Sequence, residues 1–230
     1  MTADAKKAAP APSSLRLVLT LAIAGLVSGI AIIGIYESTL PTITANKARE
    51  LREAVFKVLP GVSRMQALVY RDGALVAAEK PGKDEPVVYG GYDVQSKFIG
   101  YAMPGAGPGF QDTIALLYGY TPDQKLVVGM EILESRETPG LGDKIYKDAV
   151  FVGGFSALSV EPEIVVVKKG TKSQPNEIDA ITGATISSKA VVRIINETHT
   201  AWSERLPPAG SEPPFVPTES AGKAESGASK

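Results

Sequence analysis

Asp179-Ala-Ile-Thr-Gly-Ala-Thr-Ile-Ser-Ser-Lys-Ala-Val-Val-Arg-Ile-Ile195 reads as a tight turn of small residues feeding an amphipathic helix. From Ser188 onward, Val191, Val192, Ile194 and Ile195 recur at helical spacing and predict a face to bury. Gly183 and Ala184 let the backbone approach a bound group, and Thr185 sets a hydroxyl just ahead of the helix start. The free N–H groups and positive dipole end of such a start favour a phosphate. The same turn also has a plain reading, since Ser, Thr and Gly lead many helices only to cap them.

Composition narrows the chemistry around this turn. The chain has 230 residues, 44% hydrophobic and 21% charged, which suits one main folded domain with appendages. A net charge of −1 leaves no basic stripe for nucleic acid. With no cysteine, the chain has no disulfide, thiolate zinc site or cysteine nucleophile and holds no iron–sulfur cluster. A single histidine, His199, rules out a His-rich metal site. Redox chemistry would therefore have to come from an organic cofactor or from partner subunits.

Upstream, residues 1–13 are rich in Ala, Pro, Lys and Ser and read as a disordered arm. Leu17 to Tyr36 then runs without a charge, long enough for one helix to cross a hydrocarbon core of about 30 Å. Residues 14–36 are expected to form a single transmembrane anchor. The run is too long for a signal-peptide core, and Tyr36-Glu-Ser-Thr-Leu-Pro lacks a small-x-small cleavage site. Lys6, Lys7 and Arg16 before it and Glu37 after it place the N-terminus in the cytoplasm and the remainder outside. Gly25 and Gly29 offer a Gly-x-x-x-Gly face for another helix, although glycine is common in membrane helices.

A second helix is expected to begin after Pro41 and to run from Ala45 to Leu59, with Leu51, Val55, Phe56 and Leu59 as its stripe. Gln66 to Tyr70 and Ala74 to Ala78 flank Asp72-Gly73 as a hairpin, and Phe98 to Met103, Thr113 to Tyr118, Lys125 to Leu133 and Ile164 to Val167 read as further strands. Pro104-Gly-Ala-Gly-Pro-Gly109 is expected to be a flexible loop. The fold class expected is α+β, a mainly antiparallel sheet with flanking helices, spanning residues 37–206. From Pro207 to Lys230 the chain turns to Pro, Ser, Gly, Ala and Glu and reads as a disordered tail.

Glu134-Ser-Arg-Glu-Thr-Pro-Gly-Leu-Gly-Asp143 supplies a second motif. Pro139, Gly140 and Gly142 shape a loop that exposes Glu137 and Thr138 and leaves Leu141 to lie against something flat and apolar. By shape alone it reads first as a sharp turn into a helix over Asp143 to Lys147.

The pair Glu-Thr-Pro-Gly-Leu-Gly at 137–142 and Thr-Gly-Ala-Thr at 182–185 strongly resembles the FMN-binding domain of the RnfG family. RnfG is the periplasmic flavoprotein subunit of the Rnf ion-pumping electron-transport complex, and NqrC of the sodium-translocating NADH:quinone reductase shares the domain. The resemblance runs from the anchor to about Trp202. It implies that Thr185 carries FMN through a phosphoester bond, made from FAD by a dedicated flavin transferase after export. It implies that Thr182, Gly183, Ala184 and Ile186 surround the attachment point, and that Glu137, Thr138, Gly140 and Leu141 line or shape the isoalloxazine end. It further implies RnfA, RnfB, RnfC, RnfD and RnfE as partners, an inner-membrane location with a periplasmic domain, and no catalysis by the subunit alone. Two departures stand out: Ser135 lies where the family commonly has histidine, and Phe110 where tyrosine is usual. Lys144 could meet the flavin's phosphate or ring, or be a solvated helix-end lysine. His199 and Trp202 are expected to cap or pack. An NqrC-like subunit is one alternative, and a membrane-tethered binding or scaffold module that moves no electrons is another.

Overall fold

A computed structural model describes residues 13–82 and 85–217. The chain divides into two units, Met1–Arg49 and Glu50–Lys230. Residues 1–12, most of the expected N-terminal arm, lie outside the described residues.

Helix α1 (Ser14–Val58) supplies the described part of the first unit, and its last turns belong to the second. Leu17, Val18, Leu21, Ile23, Leu26, Ile30 and Ile33 are all exposed along it. The segment is long and apolar enough to cross a membrane. The expected restart after Pro41 does not occur, because the helix continues through that residue. Proline removes one backbone donor there, and good helix formers on both sides outweigh the loss. Pro60 and Gly61 then stop the helix, with Gly61 at φ +88°.

In the second unit, seven antiparallel strands pair in the order β2-β1-β3-β4-β5-β6-β7. They are β1 (Arg64–Arg71), β2 (Ala74–Ala77), β3 (Val87–Tyr92), β4 (Phe98–Pro108), β5 (Thr113–Thr121), β6 (Leu126–Ser135) and β7 (Leu158–Ser159). Helices α2 (Lys144–Lys147) and α3 (Ala149–Gly153) follow β6. A parallel pair, β8 (Val165–Val167) and β9 (Glu177–Asp179), precedes α4 (Thr185–Ser203).

Alternation along β5 shows why two layers cover the sheet. Ile114, Leu116, Tyr118 and Tyr120 face the core under α4, while Leu117 faces Ala54, Val55, Val58 and Leu59 at the end of α1. The α1 end comes so close that a Cβ at Gly129 would stand 2.8 Å from the Val58 backbone. On the other face Val191, Ile194, Ile195 and Trp202 of α4 close the larger core, together with Phe151 and Phe155.

The expected Pro104–Gly109 loop is instead, as far as Pro108, the second half of β4, paired with β5 from Pro104↔Leu117 to Pro108↔Thr113, and Gly109 begins the turn that follows. β3 pairs with β4 only up to Ala102, so the prolines occupy an edge where no donor is needed. The glycines seat α4: a Cβ at Gly105 would stand 2.5 Å from Thr198 Oγ1, and one at Gly107 would stand 2.9 Å from Ile194 Cγ1. The close neighbour anticipated there is this chain's own helix.

The expected disordered tail also differs over its first part. Gln66 Nε2 donates to the Pro214 carbonyl at 2.9 Å, and its Oε1 accepts from Val216 N–H at 2.9 Å. Tyr92 Oη donates to the Pro213 carbonyl at 2.7 Å. The Phe215 ring lies 5.4 Å from that of Tyr92, with the Arg64 guanidinium 5.5 Å from its centroid. These contacts extend the cover of the sheet beyond α4; residues 218–230 lie outside the described residues. Deleting residues 213–230 is expected to cost about 2–3 kcal/mol from these bonds and the ring contact. That lowers the melting temperature of the detergent-solubilised chain by about 5–10 °C. An unchanged melt would show that the strap adds no stability.

Candidate functional site

Helix α4 begins at Thr185, three residues earlier than its apolar periodicity. Gly183 sits at φ +83°, a left-handed turn that suits glycine, and Ala184 N–H closes it onto the Ile181 carbonyl at 3.0 Å. Ser188, fully buried, fastens this turn to the helix. Its Oγ accepts from Ile181 N–H at 3.1 Å and donates to the Ala184 carbonyl at 2.9 Å. No side chain caps the helix start, so the first-turn N–H groups remain available. Thr185 is exposed, and its hydroxyl makes no hydrogen bond among the described residues.

The facing wall comes from the segment after β6. Gly140 takes φ +78° in the turn where Leu141 N–H meets the Thr138 carbonyl at 3.2 Å. Asp143 is buried and pairs with Lys147 at 2.6 Å; that hydrogen bond leads the interactions holding its carboxyl below the usual range.

Glu137 joins the two walls. It is 5% exposed, and its Oε2 accepts from Ser187 Oγ of α4 at 2.5 Å. Its Oε1 accepts from the N–H groups of Phe110 and Gln111, both at 2.9 Å. Burial raises the carboxyl's pKa, but the Ser187 hydroxyl and the backbone N–H groups of residues 110–112 outweigh burial and hold it below the ordinary glutamate value. Space around it is tight, since a Cβ at Gly142 would stand 2.6 Å from Oε2. Thr138 Oγ1 donates to Gln111 Oε1 at 2.8 Å and tightens the same corner.

Two clefts meet at this helix start. The first holds about 320 Å³ and is lined by Phe110, Thr138, Leu141, Gly142, Gly183, Ala184, Thr185, Ile186 and Ser187. Phe110, Leu141 and Ile186 are half or more exposed around it, a flat apolar frame. The second holds about 600 Å³, is lined by Thr182, Lys168, Lys169 and Lys189 among others, and shares Gly183 and Thr185 with the first. Lys144 Nζ lies 3.9 Å from where a Cβ of Gly183 would stand, so an ammonium flanks the turn.

The structure thus brings Thr138, Leu141, Gly183, Ala184, Thr185 and Ile186 around one cleft and sets Thr182 in the next. Glu137 and Gly140 do not line the first cleft; one braces its walls and the other bends one of them. Ser135 lies outside it, accepting from Glu137 N–H at 3.3 Å. His199 is also elsewhere, edge-on to Tyr120 at 4.8 Å, with burial lowering its pKa. Trp202 is 5% exposed beneath the Arg205 guanidinium. Sequence reasoning missed Ser187, Ser188 and the three lysines. The Ser-Ser pair inside a helix's first turn was the available signal for the first two. No group of three or more His, Asp or Glu residues able to hold a metal ion occurs among the described residues.

A site for FMN needs an apolar slot for the ring and donors or cations at the phosphate. The first cleft, the uncapped helix start and Lys144 meet both needs, and the volume is within the range of about 300–1,000 Å³ usual for ligand pockets.

Comparison with known proteins agrees with this geometry. Residues 109–199 match the FMN-binding domain family. The chain is similar to the G component of the Na(+)-translocating ferredoxin:NAD(+) oxidoreductase complex of Acetobacterium woodii, 37% identical over 61% of this chain and 68% of that protein. It is 33% identical to the G component of the proton-translocating ferredoxin:NAD(+) oxidoreductase complex of Clostridium ljungdahlii, over 77% of this chain and 85% of that protein. It is 29% identical to the G component of the ion-translocating oxidoreductase complex of Methanosarcina acetivorans, over 77% and 88%. The crystal structure of Shewanella oneidensis NqrC superposes with a TM-score of 0.52 over 66% of this chain and 91% of that one; at 18% identity it shows a shared fold.

Proposed function

The chain belongs to the RnfG family, the G components of ion-translocating oxidoreductase complexes, and from that premise we propose that it carries electrons through an FMN joined to Thr185 by a phosphoester bond. One observation carries the linkage. Thr185 presents an unengaged hydroxyl at an uncapped helix start, on the seam between an apolar cleft and a cationic one.

When bound, the flavin supplies the electron-transfer chemistry, and the chain supplies orientation and electrostatics. Phe110, Leu141 and Ile186 frame the ring slot, Lys144 and the first-turn N–H groups face the phosphate, and Glu137 keeps the two walls together. Covalent attachment suits a domain that faces away from the cytoplasmic FMN pool. A separate flavin transferase makes the bond, taking FMN from FAD.

The reading includes a topology: residues 14–36 form the inner-membrane anchor, with the charge-free run Leu17 to Tyr36 crossing the hydrocarbon core, Lys6, Lys7 and Arg16 on its cytoplasmic side, and the sheet domain in the periplasm. The partners are the other subunits of an Rnf-type complex. Support for a ferredoxin:NAD(+) complex over a quinone reductase comes from the names of relatives at 33–37% identity, whereas the NqrC likeness is one of fold. Co-purification with a ferredoxin-oxidising complex is the expected outcome. The linkage is tested by intact mass and fragment sequencing of the chain from its native host, with a gain of FMN less one water on Thr185 expected. An unmodified chain, from cells shown to contain the transferase, would overturn it.

A further inference from the structure

We propose that the cleft walled by Lys168, Lys169 and Lys189 is a subsite for a nucleoside monophosphate, namely the adenylate half of the dinucleotide from which the flavin phosphate is transferred. The inference rests on Thr185 being the acceptor.

Three properties of the cleft point to this ligand class. Its charge has one sign: Lys168 and Lys169 follow β8, Lys189 lies one turn after Thr185 on α4, and no Asp or Glu lines it. None of these three ammonium groups pairs with a carboxylate among the described residues, and the nearby acids Asp148 and Asp179 line a neighbouring cleft with Lys169 and Lys172. Its floor is apolar, built from Val166, Val167, Ala180 and Ile181. An inorganic anion has no use for such a floor, but a purine face does. Its position completes the case, because Gly183 and Thr185 line both clefts. A flavin dinucleotide with its ring in the first cleft and its adenosine in the second would lay its pyrophosphate over the Thr185 hydroxyl.

The step that the arrangement serves is redox-neutral. An Oγ–P bond forms between Thr185 and the flavin-bearing phosphorus while the P–O bond to the bridging oxygen breaks. AMP leaves with that oxygen, and the threonine proton ends on the departing phosphate. Transfer is catalysed by the separate transferase. The lysines bind the leaving half and offset the charge that gathers on its phosphate.

The test uses the full-length chain, purified in detergent from a host without the transferase and titrated with AMP at low salt. Weak saturable binding is expected, with a Kd of about 0.1–1 mM. The triple variant Lys168→Gln/Lys169→Gln/Lys189→Gln should weaken it at least about tenfold, while Lys172→Gln leaves it unchanged. Inorganic phosphate should bind at least about tenfold more weakly than AMP. With transferase added at limiting FAD, flavinylation of the triple variant should slow about tenfold and recover at saturating FAD. Absent AMP binding, binding unaltered by the triple change, or phosphate binding as well as AMP would each overturn the subsite. Because all three lysines are exposed, the triple variant should melt with the parent chain. The mass of wild-type chain from native cells separates the two readings. A gain on Thr185 without AMP binding removes only this inference, whereas no gain removes the acceptor role itself.

Discussion

Thr185→Ala is expected to give a folded chain that retains no flavin after denaturation, a loss of the entire covalent complement and not of a fraction. The argument is that this hydroxyl has no structural duty. Thr185 is exposed, engages no partner among the described residues, and is not the residue preceding the helix, a place held by Ala184. Alanine is the better helix former, so the stability change should stay within about 0.5 kcal/mol. The turn itself is held by Ser188 and Ala184, which the substitution leaves alone. Absorbance and intact mass of the acid-denatured protein, alongside a thermal melt, read both halves of the expectation. Thr185→Ser keeps a hydroxyl on the same helix turn and should retain some modification. Stoichiometric flavin surviving denaturation in Thr185→Ala would move the linkage elsewhere, with Thr182 as the next hydroxyl to examine.

Some of this site was legible in the residues, and the reasons are local. A turn needing positive φ at Gly183 and a helix face repeating through Ile195 are properties of short windows, and so is the hairpin at Asp72-Gly73, with φ of 52° and 83°. What stayed hidden depends on distant partners. Val87–Tyr92 is an interior strand that the sequence reading leaves unassigned, because Gly90-Gly91 lacks the side chains that mark one. These glycines exist because a Cβ would meet Leu68 and Tyr92 at one position and Leu59 and Val62 at the other. Gly105 and Gly107 misled in the same way, since their smallness answers to Ile194 and Thr198 on α4. Lys168 and Lys169 are an ordinary pair in sequence and become one wall of a cleft only when β8 is laid beside α4.

Glu137→Ala is expected to unmake the site from beneath, with a larger cost in stability than any other single change in it. The Ser187 hydroxyl and the N–H groups of Phe110 and Gln111 would lose their acceptor inside a tightly packed corner. Removing a buried, multiply bonded charge of this kind costs about 3–5 kcal/mol. Because the carboxylate ties the Phe110 wall to α4, flavin attachment should fall along with the melting temperature. Glu137→Gln keeps an oxygen for the backbone donors and should cost less, about 1–3 kcal/mol. The two variants also differ from wild type in their response to acid. The folded-state pKa of Glu137 lies below its unfolded value, so its contribution is complete above the unfolded glutamate pKa of about 4.3 and is lost as pH falls through the folded value. Urea titrations at a series of pH values should therefore show wild type losing stability faster than Glu137→Gln on acidification through that window. Parallel curves would mean that the carboxylate's charge is immaterial and that only its shape braces the cleft; a Glu137→Ala chain that melts with wild type would remove the bracing role altogether.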